Sequence, residues 1–210
     1  EEFNRQAVSR IADIHLCPTF GAAENLRSER VEGSIHVVGN TVLDNLRGIE
    51  VSYNNKILIT MHRRENHLLI EKWFSEFESL AKEHLEYEFV FPIHPNPNVR
   101  KHRNILKNVK VIDPLEYNEF IESLSKCRFV ITDSGGIQEE SSFFRKKCIV
   151  CRKTTERVEG IGSFALLCDS PFKLSKIFQQ VVDSYIPNGD CPYGDGYAAD
   201  KIVEVLRDEV

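Results

Sequence analysis

From Lys56 onward the chain alternates short apolar runs with longer stretches of helical spacing. The runs are Lys56 to Met61, Tyr87 to Pro92, Val109 to Ile112, Phe129 to Thr132 and Lys147 to Val150. Between them, Leu69 to about His84, Asn98 to Leu106, Glu116 to Cys127 and Gly136 to Arg145 place apolar residues three and four apart. This alternation predicts a parallel sheet covered by helices on both faces, a doubly wound α/β domain. Pro171 to Tyr185 and Tyr197 to about Val205 read as two closing helices. Ahead of Lys56 the pattern predicts an amphipathic helix to about Ile14, a strand from Ile14 to Pro18, a helix from Thr19 to about Glu29 and a strand from Ile35 to Val38. Gly39-Asn40 turns the chain, and Gly48 to Asn55 is the candidate linker. The chain therefore divides into residues 1–48, 49–190 and 191–210. It opens without a Met, already inside a helical pattern, and reads as a fragment.

Composition narrows the class. With 210 residues, 41% hydrophobic, 28% charged and a net charge of −5, the chain has the make-up of a soluble globular protein. Its apolar runs, such as Phe164 to Cys168, fall far short of the roughly 20 residues of a membrane span. Twenty-seven Lys and Arg against 32 Asp and Glu leave no positive excess to drive nucleic-acid binding. The six cysteines read as reduced: Cys148 and Cys151 have CxxC spacing but sit in a strand, where residues three apart face opposite ways. The histidines lack metal-site spacing, so no protein-bound metal is predicted. Without a basic, apolar leader the expected location is the cytoplasm. Gly160 to Ala165 fits the dinucleotide fingerprint in letters but lacks the strand before it and the helix after it.

In sheets of this kind ligands bind beyond the carboxyl ends of the strands. The first strand runs into His62-Arg63-Arg64-Glu65-Asn66, a set that suits an anion and equally fits a strand cap with two surface-paired arginines. The second runs into Ile93-His94-Pro95-Asn96-Pro97-Asn98, a stiff loop that either positions His94 or only routes the chain. After Phe129 to Thr132 comes Asp133-Ser134-Gly135-Gly136-Ile137-Gln138-Glu139-Glu140. A strand entering Ser-Gly-Gly at a helix start offers free N–H groups and the positive end of the helix dipole to a phosphate. Glu140, one turn further on, is placed to accept paired hydroxyls. The plainer reading makes Asp133 or Ser134 a helix cap and Glu139 and Glu140 first-turn acids.

Together these clusters resemble the non-hydrolysing UDP-N-acetylglucosamine 2-epimerases. The likeness is carried by EEFNR at the start, GNTVLDNL at 39–46, HRREN at 62–66, HPNPNV at 94–99, DSGGIQEE at 133–140, TTERVEG at 154–160 and PYGDG at 192–196. They occur in family order across essentially the whole chain. The resemblance implies the C-terminal half of a glycosyltransferase-B-type two-domain fold. Residues 49–190 would be its Rossmann-like UDP-binding domain, 1–48 a remnant of the N-terminal domain and crossover, and 191–210 a closing helix.

By motif, the resemblance implies that Ser134, Gly135 and Gly136 hold the diphosphate, that Glu140 holds the ribose hydroxyls and that Phe120 faces the uracil. The spacing of Glu116 to Cys127 alone makes Phe120 a core residue. His62 corresponds to the family's essential histidine near the diphosphate, with Arg64 or Arg63 lending charge, and Glu1 to a catalytic acid/base carboxylate. Two positions depart from the pattern: Asn66 is followed by His67-Leu68-Leu69 where the family usually has a glycine, and Val158 replaces a proline.

The implied activity interconverts UDP-GlcNAc and UDP-ManNAc by elimination and re-addition of UDP, without a cofactor. UDP and a UDP-N-acetylhexosamine are the implied ligands, with no nucleic-acid or membrane partner, and the full-length enzyme is implied to be a homodimer. The fragment is expected to bind UDP and to be inactive alone. A glycosyltransferase half, a 2-epimerase of a related UDP-2-acetamido sugar and a catalytically silent UDP-sugar sensor are the competing readings.

Overall fold

The computed structural model describes residues 2–209. They divide into two compact units, one of residues up to 48 and from 191, the other of residues 49–190. The first unit begins with α1 (Glu2–Ser9), β1 (Ile14–Cys17), α2 (Phe20–Ser28) and β2 (Ser34–Val37), the two strands pairing in parallel. The Thr19 hydroxyl accepts the Ala22 N–H at 3.1 Å and so caps α2. Helix α1 ends at Ser9 rather than near Ile14, because the N–H groups of Arg10 and Ile11 tighten into i−3 turns before Ile14 pairs with Ser34.

The second unit carries a six-stranded parallel sheet of β3 (Lys56–Thr60), β4 (Glu88–Pro92), β5 (Lys110–Ile112), β6 (Phe129–Thr132), β7 (Cys148–Val150) and β8 (Ala165–Leu167), in the order β5-β4-β3-β6-β7-β8. This is the Rossmann-like doubly wound arrangement. The strand-like run after Gly162 supplies the sixth strand. Its helices are α3 (Ile70–Glu83), α4 (Pro97–Arg100), α5 (Tyr117–Lys126), α6 (Gly135–Phe143) and α7 (Leu174–Asp183). The predicted helix from Asn98 to Leu106 is instead α4 followed by a 3-10 turn at Arg103–Ile105. Two short turns are enough to bury Val99 and Leu106.

The strands are short and apolar because both faces are covered. One face gathers Ile57, Ile59, Phe89, Phe91, Phe129, Ile131 and Ile149 against Trp73, Phe74 and Phe77 of α3 and Leu174, Phe178 and Val181 of α7. Phe74 meets Phe91 edge-on with centroids 5.4 Å apart, and Phe178 meets Phe129 at the same separation. The alternate residues Leu58, Val130, Cys148 and Val150 are buried too. Cys151 belongs to the α3 side and Cys148 does not, as strand alternation requires.

The chain closes with α8 (Ala198–Glu209) in the first unit. Here two of the singled-out motifs meet: Asp44 accepts the N–H groups of Ala198 and Ala199 at 3.0 and 2.7 Å, and the Asn40 N–H bonds Tyr193 O at 2.8 Å. Gly39 and Gly194 both hold positive φ and pass so close that a Cβ on Gly194 would lie 3.1 Å from Gly39 Cα. GNTVLDNL and PYGDG thus serve the packing of this unit.

Candidate functional site

The strand order reverses between β3 and β6, whose Thr60 and Thr132 are paired in register. Helices leave such neighbouring strand ends in opposite directions and open a crevice between them. A cleft of about 340 Å³ lies there, lined by His62, His94, Tyr117, Phe120, Ser134, Gly136 and Glu140 among others. A larger cavity of about 530 Å³ lies in the first unit between α1, β1 and α2, where Arg5 is occupied by ion pairs to Glu2 and Glu29. The second unit's cleft is therefore the better candidate, since its polar groups converge on open space.

Its floor is a set of hydrogen bonds between strand ends. Thr60 and Thr132 join hydroxyls at 2.6 Å, and Thr132 Oγ1 also accepts the Ser134 N–H at 3.0 Å. Asp133 does not cap α6. Its buried carboxylate turns to the neighbouring strand and accepts the N–H of His62 at 3.1 Å, the N–H of Arg63 at 2.9 Å and Nδ2 of Asn66 at 3.0 Å. Asn66 is buried in a 3-10 turn, Arg64–Leu69, donates also to Cys151 O at 3.0 Å and accepts Trp73 Nε1 at 3.2 Å. The segment without the family's usual glycine is thus anchored by one asparagine to three parts of the core.

Ser134 stands at the N-cap position of α6 with no side-chain capping bond, so neither predicted cap is made. A Cβ on Gly135 would come within 3.0 Å of Glu156 Oε1 and 3.3 Å of Arg157 Cζ, which explains that glycine by packing. Gly136 has no such reason: a Cβ there would meet nothing within 4 Å, and its φ is not positive.

Glu139 and Glu140 lie in the second turn and have different partners. Glu139 accepts Arg157 Nε at 2.8 Å. Glu140 faces the cleft and accepts the Tyr117 hydroxyl. Burial pushes the Glu140 carboxyl up to about 7 against the pull of the tyrosine bond, while burial and then Glu140 raise the Tyr117 phenol. His62 and His94 stack at 5.3 Å with rings 19° apart. His94 Nδ1 accepts the Asn96 N–H at 3.1 Å, and burial followed by His62 lowers its pKa.

Of the residues singled out from sequence, His62, Ser134, Gly136, Glu140 and Phe120 line this one cleft. Phe120 is half-buried there and is not a core residue. Gly135 backs onto Glu156 and Arg157. Arg64 is exposed and is not among the lining residues; Arg63 reaches Glu156 at 3.7 Å. Glu1 lies outside the described residues. Tyr117 escaped the sequence reading, although it stands three residues before Phe120 on the same helix face.

A family model described as UDP-N-acetylglucosamine 2-epimerase matches residues 1–207. The chain belongs to that family. Among its 2-epimerase relatives, the Bacillus subtilis protein is 36% identical over 230 residues, covering 98% of this chain and 60% of the relative. The Campylobacter jejuni UDP-N-acetylglucosamine 2-epimerase is also 36% identical, covering 98% and 63%. The crystal structure of the Neisseria meningitidis UDP-GlcNAc 2-epimerase bound to UDP-GlcNAc superposes with a TM-score of 0.83 at 33% identity, covering 99% of this chain and 65% of that one. The S. aureus MnaA–UDP structure gives 0.86 at 33%, covering 99% and 63%. The chain therefore spans less than two thirds of the length of these epimerase relatives.

Proposed function

We propose that the cleft binds the UDP moiety of a UDP-N-acetylhexosamine and that the full-length protein interconverts UDP-GlcNAc and UDP-ManNAc. Gly136 carries this reading. A glycine in a helical first turn costs up to about 1 kcal/mol relative to alanine, and neither backbone conformation nor packing requires it here. It leaves room for a group outside the chain to approach the α6 N-terminus closely, where the N–H groups and dipole favour a phosphate.

On this reading the diphosphate lies against Ser134, Gly135 and Gly136, the ribose hydroxyls donate to Glu140, and uracil rests on Phe120. Neither Arg64 nor Arg63 is among the lining residues, so either would lend charge to the ligand only after its side chain moves. The carbon-2 proton of the sugar is poorly acidic, because no carbonyl adjoins it in the ring. A carboxylate removes it while the bond from carbon 1 to the UDP oxygen breaks, the electron pair leaving with UDP and the sugar becoming 2-acetamidoglucal. UDP then re-adds at carbon 1 as a proton returns to the other face of carbon 2. The negative charge gained by the leaving diphosphate is met by His62 and the helix N-terminus. Glu1 is the carboxylate this chain would contribute. Others would come from sequence outside it, so residues 1–210 bind UDP without epimerising.

The test is a thermal-shift and calorimetric titration of this chain with UDP, using ADP as control. At about a hundred times its Kd, UDP should stabilise the fold by roughly 2.7 kcal/mol. Equal response to both nucleotides, or to neither, would overturn the assignment of the cleft. Epimerisation by the isolated chain would overturn the assignment of the missing carboxylates.

A further inference from the structure

We propose that Asp133 sets the orientation and tautomer of His62, and that Asp133 and Asn66 together lock the histidine turn and the glycine turn into one frame. This rests on the reading of the cleft as a UDP site. Asp133 is completely buried and immediately precedes the α6 N-cap, so any group it holds is fixed relative to the glycine turn. Its two oxygens are unequally used. Oδ2 receives three donors, from Arg63, Asn66 and the His62 backbone. Oδ1 shares the His62 N–H at 3.2 Å and has His62 Nδ1 at 3.5 Å.

Beyond that shared backbone N–H, the ring nitrogen is the further donor that the geometry offers to this buried oxygen. With the proton on Nδ1 directed at Asp133, Nε2 is left for the cleft. A ring held in this way meets the diphosphate through one fixed nitrogen as charge develops there. The other titratable groups facing His62 do not compete for this role. His94, from the loop after β4, stacks on the ring with its own Nδ1 already accepting the Asn96 N–H. His67, in the adjacent 3-10 turn, places Nε2 3.4 Å from the His62 carbonyl. Asp133 acts through His62 and is therefore a positioning residue.

The experiment is long-range proton–nitrogen NMR on this chain labelled with nitrogen-15 histidine, the His62 signals being identified by their loss in His62→Gln. Neutral His62 should carry its proton on Nδ1. In Asp133→Asn the Nδ1 tautomer should lose its dominance, because the carboxylate that holds this proton is gone. UDP affinity should drop about tenfold as the ring loses its fixed orientation toward the diphosphate. A neutral ring protonated on Nε2, or a folded Asp133→Asn that keeps both the Nδ1 tautomer and full UDP affinity, would overturn the proposal. If that variant does not fold, the wild-type tautomer alone decides. Failure of UDP to bind wild type, with His62 behaving as stated, would instead overturn the reading of the site and leave the frame intact.

Discussion

The Tyr117 hydroxyl donates to Glu140 Oε1 at 3.2 Å, joining the first turn of α5 to the second turn of α6. The bond fixes the direction of the one cleft carboxylate whose pKa burial has carried to about 7.

Glu140 should therefore oppose stability and serve binding in the same pH range. Its ordinary value is 4.5, so between 4.5 and about 7 the folded protein holds this proton more tightly than the unfolded chain. Stability is favoured by this group at low pH and lost as pH rises through that window, by up to about 3 kcal/mol. Glu140→Gln should match wild type near pH 4.5 and melt higher at pH 8. UDP binding should show the reverse: ribose hydroxyls donate to the carboxylate, so wild-type affinity rises with pH through 7, whereas the variant stays weak and flat. Thermal scans and calorimetry across pH 5 to 9 check both; a variant that melts lower at pH 8 contradicts the assignment.

Gly136→Ala separates a ligand requirement from a folding one. The added methyl meets open space and removes backbone freedom from the unfolded chain, which stabilises by about 0.4–1 kcal/mol. The same methyl obstructs the phosphate. The expected pair of results is a raised Tm without ligand and a UDP shift reduced at least severalfold. Unchanged UDP affinity would leave Gly136 without a functional explanation.

Asn66→Ala should be among the more damaging polar substitutions in the second unit. It strips the Asn66 bond from Trp73 Nε1 and Cys151 O, and one of three donors from Asp133 Oδ2. Buried groups left without partners cost about 1–3 kcal/mol each, partly recovered by relaxation, so a loss of about 3 kcal/mol is expected in urea unfolding. A loss under about 1 kcal/mol would mean that the turn is held elsewhere.

The strands and most helices were legible because their signal is local. An apolar run bounded by turns reads the same wherever it pairs, and α3 announces its buried face through Trp73, Phe74, Phe77 and Leu80. The Ser134-Gly135-Gly136 helix start was legible for the same reason. Phe120 was not, since an aromatic residue on an amphipathic helix suits a core and a cleft wall equally. Spacing alone also left the roles of GNTVLDNL and PYGDG open, because their contacts join residues about 150 positions apart.

By itself, then, the sequence determined the alternating α/β pattern, the family and the segments from which a site is assembled. Strand order decided how they come together. With β3 beside β6, Asp133 reaches the backbone of His62 and Arg63 rather than capping its own helix, and Glu139 and Glu140, adjacent in sequence, part company to Arg157 and to the cleft. Periodicity records which face of an element is apolar. Which side chain a buried carboxylate meets depends on neighbours brought in from distant parts of the chain, and that information exists only once the sheet has formed.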